Sequence, residues 1–109
     1  AFDDVQGVAV MRDPSWGRGN GWLTTATFDS SLRGEASTQV RIALENHNIE
    51  SRPIWKPMHA QPVFSESESY LTGVADRVFA EGICLPSGST MTDDDVDRVV
   101  SVVRHTLGT

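Results

Sequence analysis

Three of the five prolines of this chain, Pro53, Pro57 and Pro62, fall within ten residues. Each fixes its own φ and removes one backbone N–H. Neither a helix nor a central strand can run through such a stretch. The segment must therefore be a stiffened loop, and the regular elements must lie on either side of it.

On its N-terminal side, Gly7-Val8-Ala9-Val10-Met11 reads as a short strand closed by Asp13-Pro14. Arg12 to Gly21 reads as a hairpin loop, because Pro14, Gly17, Gly19, Asn20 and Gly21 all favour turns. Trp22 to Phe28 (WLTTATF) is rich in β-branched and aromatic residues and predicts a strand. Asp29 to Gly34 predicts a turn. Ala36 to Asn46 has helical spacing, with Ala36, Val40, Ala43, Leu44 and His47 on one face. Ile49 to Arg52 reads as a short extended segment.

Beyond the prolines, Ser65 to Ser69 alternates serine and glutamate and predicts a solvated loop. Thr72 to Ala80 returns to helical period, with Val74, Ala75, Val78 and Phe79 on one face and Gly82 as terminator. Ile83-Cys84-Leu85 predicts a short buried strand stopped by Pro86. Thr92 is a good N-cap for a last helix, Asp95 can answer it, and Val96, Val99, Val100, Val103 and Leu107 form an apolar stripe. The predicted order is β, β, α, β, long loop, α, β, α. It implies an α+β fold in which helices cover a small, mostly antiparallel sheet.

With 109 residues the chain has room for one domain, 1–109. Its formal net charge of −6 argues against nucleic acid and anionic membrane as partners, since both require a basic face. No apolar run approaches the length of a membrane span. The single cysteine, Cys84, allows no intrachain disulfide and suits a reducing, cytoplasmic setting. The N-terminal residues lack the basic start and apolar core of a signal peptide.

The proline loop also concentrates chemistry. Arg52, Trp55, Lys56, His59 and Gln61 lie in or beside it. A stiff backbone holds such side chains at low entropic cost. Arginine offers a planar fork for phosphate or carboxylate, lysine a point charge, and an indole can stack on a sugar or base. Spacing alone leaves a second reading open, in which Trp55 and Met58 enter the core and the charges are ordinary surface. The three histidines show no metal-ligand spacing, and His47 and His105 sit at predicted helix ends, where capping suffices. Lys56 is the only lysine, which raises the idea of a Schiff base. The glycine cluster Gly17, Gly19, Gly21 matches no phosphate-cradle pattern. Asp93-Asp94-Asp95 is explained by a helix start, Ser87 has no evident base, and Cys84 reads as an inert core residue.

Ile49 to Phe64, IESRPIWKPMHAQPVF, closely resembles a signature of the DegT/DnrJ/EryC1/StrS aminotransferases. Asn20-Gly21-Trp22-Leu23-Thr24 is similar to that family's strand after its domain crossover. Gly82 to Ser89, followed by Thr92 and an acidic helix start, is similar to its C-terminal end. The resemblance implies the small C-terminal domain of a fold-type I enzyme dependent on pyridoxal 5'-phosphate. Such enzymes pass an amino group, usually from glutamate, to a nucleotide-linked keto sugar destined for bacterial glycans or natural products. It also implies a homodimer, and a cofactor lysine in a large N-terminal domain whose motifs this sequence does not contain. No catalytic residue and no bound cofactor are then expected in this chain alone. Arg52, Trp55, Lys56, His59 and Gln61 become candidate contacts to the nucleotide-sugar. A stand-alone module that binds a nucleotide-sugar or a protein is the alternative.

Overall fold

The computed structural model describes all 109 residues. Helical spacing in Ala36–Asn46 gives α2, whose Ala36, Val40 and Leu44 recur every fourth residue and are all buried. They pack against α4 (Asp93–Leu107), which buries Val99, Val102 and Val103. The strands are β1 (Val8–Val10), β2 (Thr24–Phe28), β3 (Arg52–Pro53) and β4 (Gly82–Leu85). They form one antiparallel sheet in the order β1-β2-β4-β3. Ala26, Phe28, Ile83 and Leu85 turn one face of this sheet onto α2 and α4, and Phe2, Val5 and Ile49 complete the core. This is the α+β arrangement the sequence predicts. No buried residue is polar or charged, and Ser51 Oγ is shielded from solvent without a hydrogen-bond partner.

Several predicted elements are sharpened. Trp22 and Leu23 precede β2 and lie outside it. Asp29 to Gly34 is a short helix, α1 (Ser30–Arg33), and not a simple turn, because the Asp29 carboxylate accepts from Ser31 N at 2.9 Å and caps it. The extended segment from Ile49 pairs only at Arg52 and Pro53, and it lies at the sheet edge, where a proline without N–H is tolerated. Two 3₁₀ turns, Met58–Ala60 and Pro62–Phe64, fold the proline loop. Within it Pro57 is buried.

In α3 (Val74–Glu81) the expected apolar face forms but is left largely uncovered: Val74 and Phe79 are exposed. Gly82 does not end this helix by a left-handed turn, since its φ is −109°. Its further role is spatial. A Cβ there would stand 2.5 Å from Val78 O and 2.7 Å from Ile54 Cγ1. Gly82→Ala should therefore force β4 or α3 to shift and destabilise the fold by about 2 kcal/mol. Urea unfolding checks this, and a wild-type midpoint would refute it.

The start of α4 is the capping box read from the sequence. Thr92 Oγ1 accepts from Asp95 N, and the Asp95 carboxylate accepts from Thr92 N and Oγ1 at 2.9 and 2.8 Å. The Thr92 backbone N–H, then its hydroxyl, hold the Asp95 carboxyl below its ordinary pKa. A depressed folded pKa contributes stability that is present above the unfolded value and lost as pH falls through the folded one. Thr92→Ala should cost about 1 kcal/mol near neutrality. Its deficit should shrink in acid, below the ordinary carboxylate range, when stability is followed by urea titration across pH.

Candidate functional site

The uncovered edge beside β3 opens a cleft of about 680 Å³, within the size range of small-molecule sites. Three parts of the chain wall it: Trp22 and Leu23 before β2, Glu50 to Lys56 through β3 into the proline loop, and Cys84 to Gly88 with Met91, from the last residues of β4 onward. Each wall follows from the sheet. β4 is flanked by β2 and β3 and is antiparallel to both, so the start of β2, the end of β4 and the entry into β3 share one end. Ser87 ties two walls together: its hydroxyl accepts from Thr24 N at 2.7 Å and donates to Leu85 O at 2.8 Å. With its proton committed to a carbonyl, Ser87 is a brace and no nucleophile.

Of the five residues singled out in the sequence, Arg52, Trp55 and Lys56 line the cleft, whereas His59 and Gln61 do not. Trp55 does not enter the core, and neither does Met58, so the reading of this segment as a core crossover is not the one realised. Trp55 instead meets Trp22, with ring centroids 5.5 Å apart and planes tilted by 40°. Both indoles are about two-thirds exposed, at 67% and 64%. A planar ring inserted between two indoles would need roughly 7 Å, twice an ordinary stacking distance. The pair is therefore an apolar shelf that offers outer surfaces, and it cannot act as a sandwich.

Charge in the cleft is unbalanced. Arg52 donates through Nε and Nη2 to Glu50 Oε1, at 2.9 and 2.5 Å. Lys56 makes no ion pair. One carboxylate thus faces two cations, leaving this cleft locally positive on a chain of net charge −6. Cys84 lines the same cleft half-buried, and burial pushes its thiol pKa up, away from the reactive thiolate.

His59 and Gln61 hold the loop. His59 Nε2 lies 2.8 Å from Asp76 Oδ1, and since a carboxylate can only accept, that nitrogen carries the proton. Asp76 stands in the first turn of α3, so the pair ties the loop to that helix. Gln61 Nε2 donates to Lys56 O at 3.0 Å and fixes the backbone that carries the free cation. His47, read as a cap, places Nδ1 2.8 Å from Ala43 O at the end of α2.

Trp22, Glu50 and Ser87 belong to the site but were not singled out as site residues. Trp22 falls in a motif block whose visible signal was strand propensity. Its pairing with Trp55 depends on sheet order, which spacing does not encode. If His59 and Asp76 act as one latch, His59→Ala and Asp76→Ala should each speed proteolysis of the loop several-fold. The double variant should then be no faster than either single one. Additive rates would refute the latch.

Compared with known proteins, residues 1–104 match the DegT/DnrJ/EryC1/StrS aminotransferase family. EpsN of Bacillus subtilis, assigned as a pyridoxal phosphate-dependent aminotransferase, is 44% identical over the whole of this chain, which covers 28% of it. GDP-perosamine synthase of Caulobacter vibrioides is 30% identical over 79% of this chain and 23% of its own length. Among solved structures, the aminotransferase TlmJ of Streptoalloteichus hindustanus superposes with a TM-score of 0.75 at 25% identity, over 95% of this chain and 27% of that one. A DegT DnrJ EryC1 StrS aminotransferase of Brucella abortus gives 0.78 at 20% identity, over 99% and 28%. The chain thus spans about a quarter of the length of the curated relatives it matches.

Proposed function

This chain belongs to the DegT/DnrJ/EryC1/StrS aminotransferase family, and from that premise we propose that it is the small C-terminal domain of a sugar aminotransferase. The parent enzyme would use pyridoxal 5'-phosphate to pass an amino group, from glutamate, to a nucleotide-linked keto sugar. It would work as a cytoplasmic homodimer in bacterial glycan or amino-sugar synthesis. Residues 1–109 would form one domain, and the cofactor would be held by a large domain elsewhere in the parent.

The residues of this chain do not fit the cofactor itself. Lys56 is exposed on an open cleft wall, and a Schiff-base lysine needs a desolvated or cationic setting and a phosphate cradle beside it. No step of the transfer chemistry is therefore assigned to these residues. Their work is to bind and orient.

The observation that carries this reading is the joining of the Trp22–Trp55 shelf with Arg52 and Lys56 in one cleft. A nucleotide-linked sugar brings a planar base, apolar sugar faces and a diphosphate, which suit an aromatic shelf beside two cations. The relative from Caulobacter vibrioides carries a GDP-linked sugar in its name. In this assignment the indoles support the base or sugar, Arg52 and Lys56 meet phosphate, and His59 and Gln61 position the loop. Arg52→Ala and Lys56→Ala in the parent enzyme should each raise KM for the nucleotide-sugar about tenfold, the worth of one charged hydrogen bond. Saturation by glutamate should stay unchanged. His59→Ala should raise the same KM by a smaller factor. Steady-state kinetics with the sugar varied tests this, and wild-type saturation in all three variants would sink it.

A further inference from the structure

A second cavity, of about 230 Å³, adjoins the cleft. It lies where the end of β4 meets the side of α4, with Phe2 and Val10 on one flank and Val96 and Val99 on the other. Its only charged side chains, Arg12 and Asp3, are mostly exposed and paired with each other, so they offer no unmet charge. A lining of this kind favours an apolar occupant, because a polar one would leave its hydrogen-bonding groups without partners. A cavity of about 150 Å³ already holds benzene, so this one has room for a short alkyl chain. Leu85, Pro86 and Met91 line this side pocket and the cleft alike. Leu85 is buried and Pro86 is a rigid ring, which leaves Met91 as the movable member of the shared wall. Its unbranched thioether adapts readily, and it packs against the core only in part.

We infer that the side pocket is an apolar annex of the cleft: it takes a short aliphatic arm of the molecule whose anionic group lies on Arg52 and Lys56, with Met91 as the movable wall between them. The inference rests on the reading of the cleft as an anion-binding ligand site. The shared wall selects this occupant. A separate apolar molecule gains only the pocket, and it must give up its own translational freedom to do so. An arm of a molecule already held in the cleft arrives at high effective concentration and adds its buried apolar surface to the same binding event. The ligand class this defines is an anion that bears an aliphatic substituent.

The test compares methyl diphosphate with n-hexyl diphosphate, which carry the same charge and differ only in the alkyl arm. The chain is titrated with each and followed by NMR at the Trp55 indole and at the ε-methyl of Met91, one of three methionines in the chain. Both ligands should move the indole. Hexyl diphosphate should bind about tenfold tighter, the effect of burying its last two carbons, and it alone should move the Met91 methyl. Val96 is half-exposed and lines the side pocket but not the cleft. Val96→Phe should therefore fill the pocket, abolish the gain from the longer arm and leave methyl diphosphate binding unchanged. Val96→Met occupies part of the same space and should remove part of the gain, which keeps the test open if the phenylalanine variant does not fold. A gain that survives both substitutions puts the arm on the indole shelf and overturns the inference, as does equal binding of the two diphosphates. A Met91 methyl that responds to benzene but not to hexyl diphosphate makes the pocket independent of the cleft and also overturns it. In each of these cases the cleft remains an anion site. If neither diphosphate moves the Trp55 indole, the anion-site reading fails and the annex with it.

Discussion

The fold and the cleft both depend on the close approach made at Gly82. This residue opens β4, which pairs with β2 on one side and β3 on the other. At the same point Val78 O of α3 and Ile54 of the proline loop come within distances that no Cβ would permit. One missing side chain thus lets a helix, a central strand and the loop meet. Were they held apart by a methyl group, Ile54 could not seat, and the loop beyond it would lose its footing on the sheet. The buried Pro57 and the His59–Asp76 contact would then have no fixed frame to act on.

The prolines set the complementary limit. Pro53 lacks the N–H that an outer neighbour would need, so β3 is an edge and the sheet stops there. A sheet that stops beside a stiff loop leaves an open flank, and that flank is the cleft. The same residues that forbid regular structure therefore create the concavity and hold Trp55 and Lys56 along it. Pre-set backbone torsions also mean that little loop entropy is lost when a ligand arrives.

Much of the fold was legible in the sequence because it follows local rules. The 3.6-residue period of α2, the Thr92–Asp95 capping box and the β-branched run of β2 each need only neighbouring residues to be recognised. What was not legible depends on distant pairs. Gly82 does cap α3, as its local use predicts, but its second constraint, the approach of Ile54 brought in by the edge strand, has no local signal. Trp22 read as strand because its partner Trp55 is visible only once β2, β4 and β3 are set side by side. Of the five polar and aromatic loop residues, the structure brings Arg52, Trp55 and Lys56 to one cleft. The sequence could not separate side chains that face the cleft from those that brace it, since a loop has no period from which facing can be counted.

The division between cleft-facing and bracing residues bears on how the surface carries function. No buried residue is polar or charged, so the core contributes stability and no polar recognition. Polar recognition must then come from exposed groups, which are entropically expensive to order unless something else restrains them. Here the restraint is distributed: Ser87 fixes the approach to β2, Gln61 fixes the Lys56 carbonyl, and Glu50 parks Arg52. None of these braces is strong alone, since each is a surface contact. Their combined effect is to leave Lys56 as the one cleft cation without a carboxylate partner, on a chain that is otherwise net negative. Under the proposed reading of the cleft as an anion site, Arg52 and Lys56 would act on the ligand at short range, within about one Debye length.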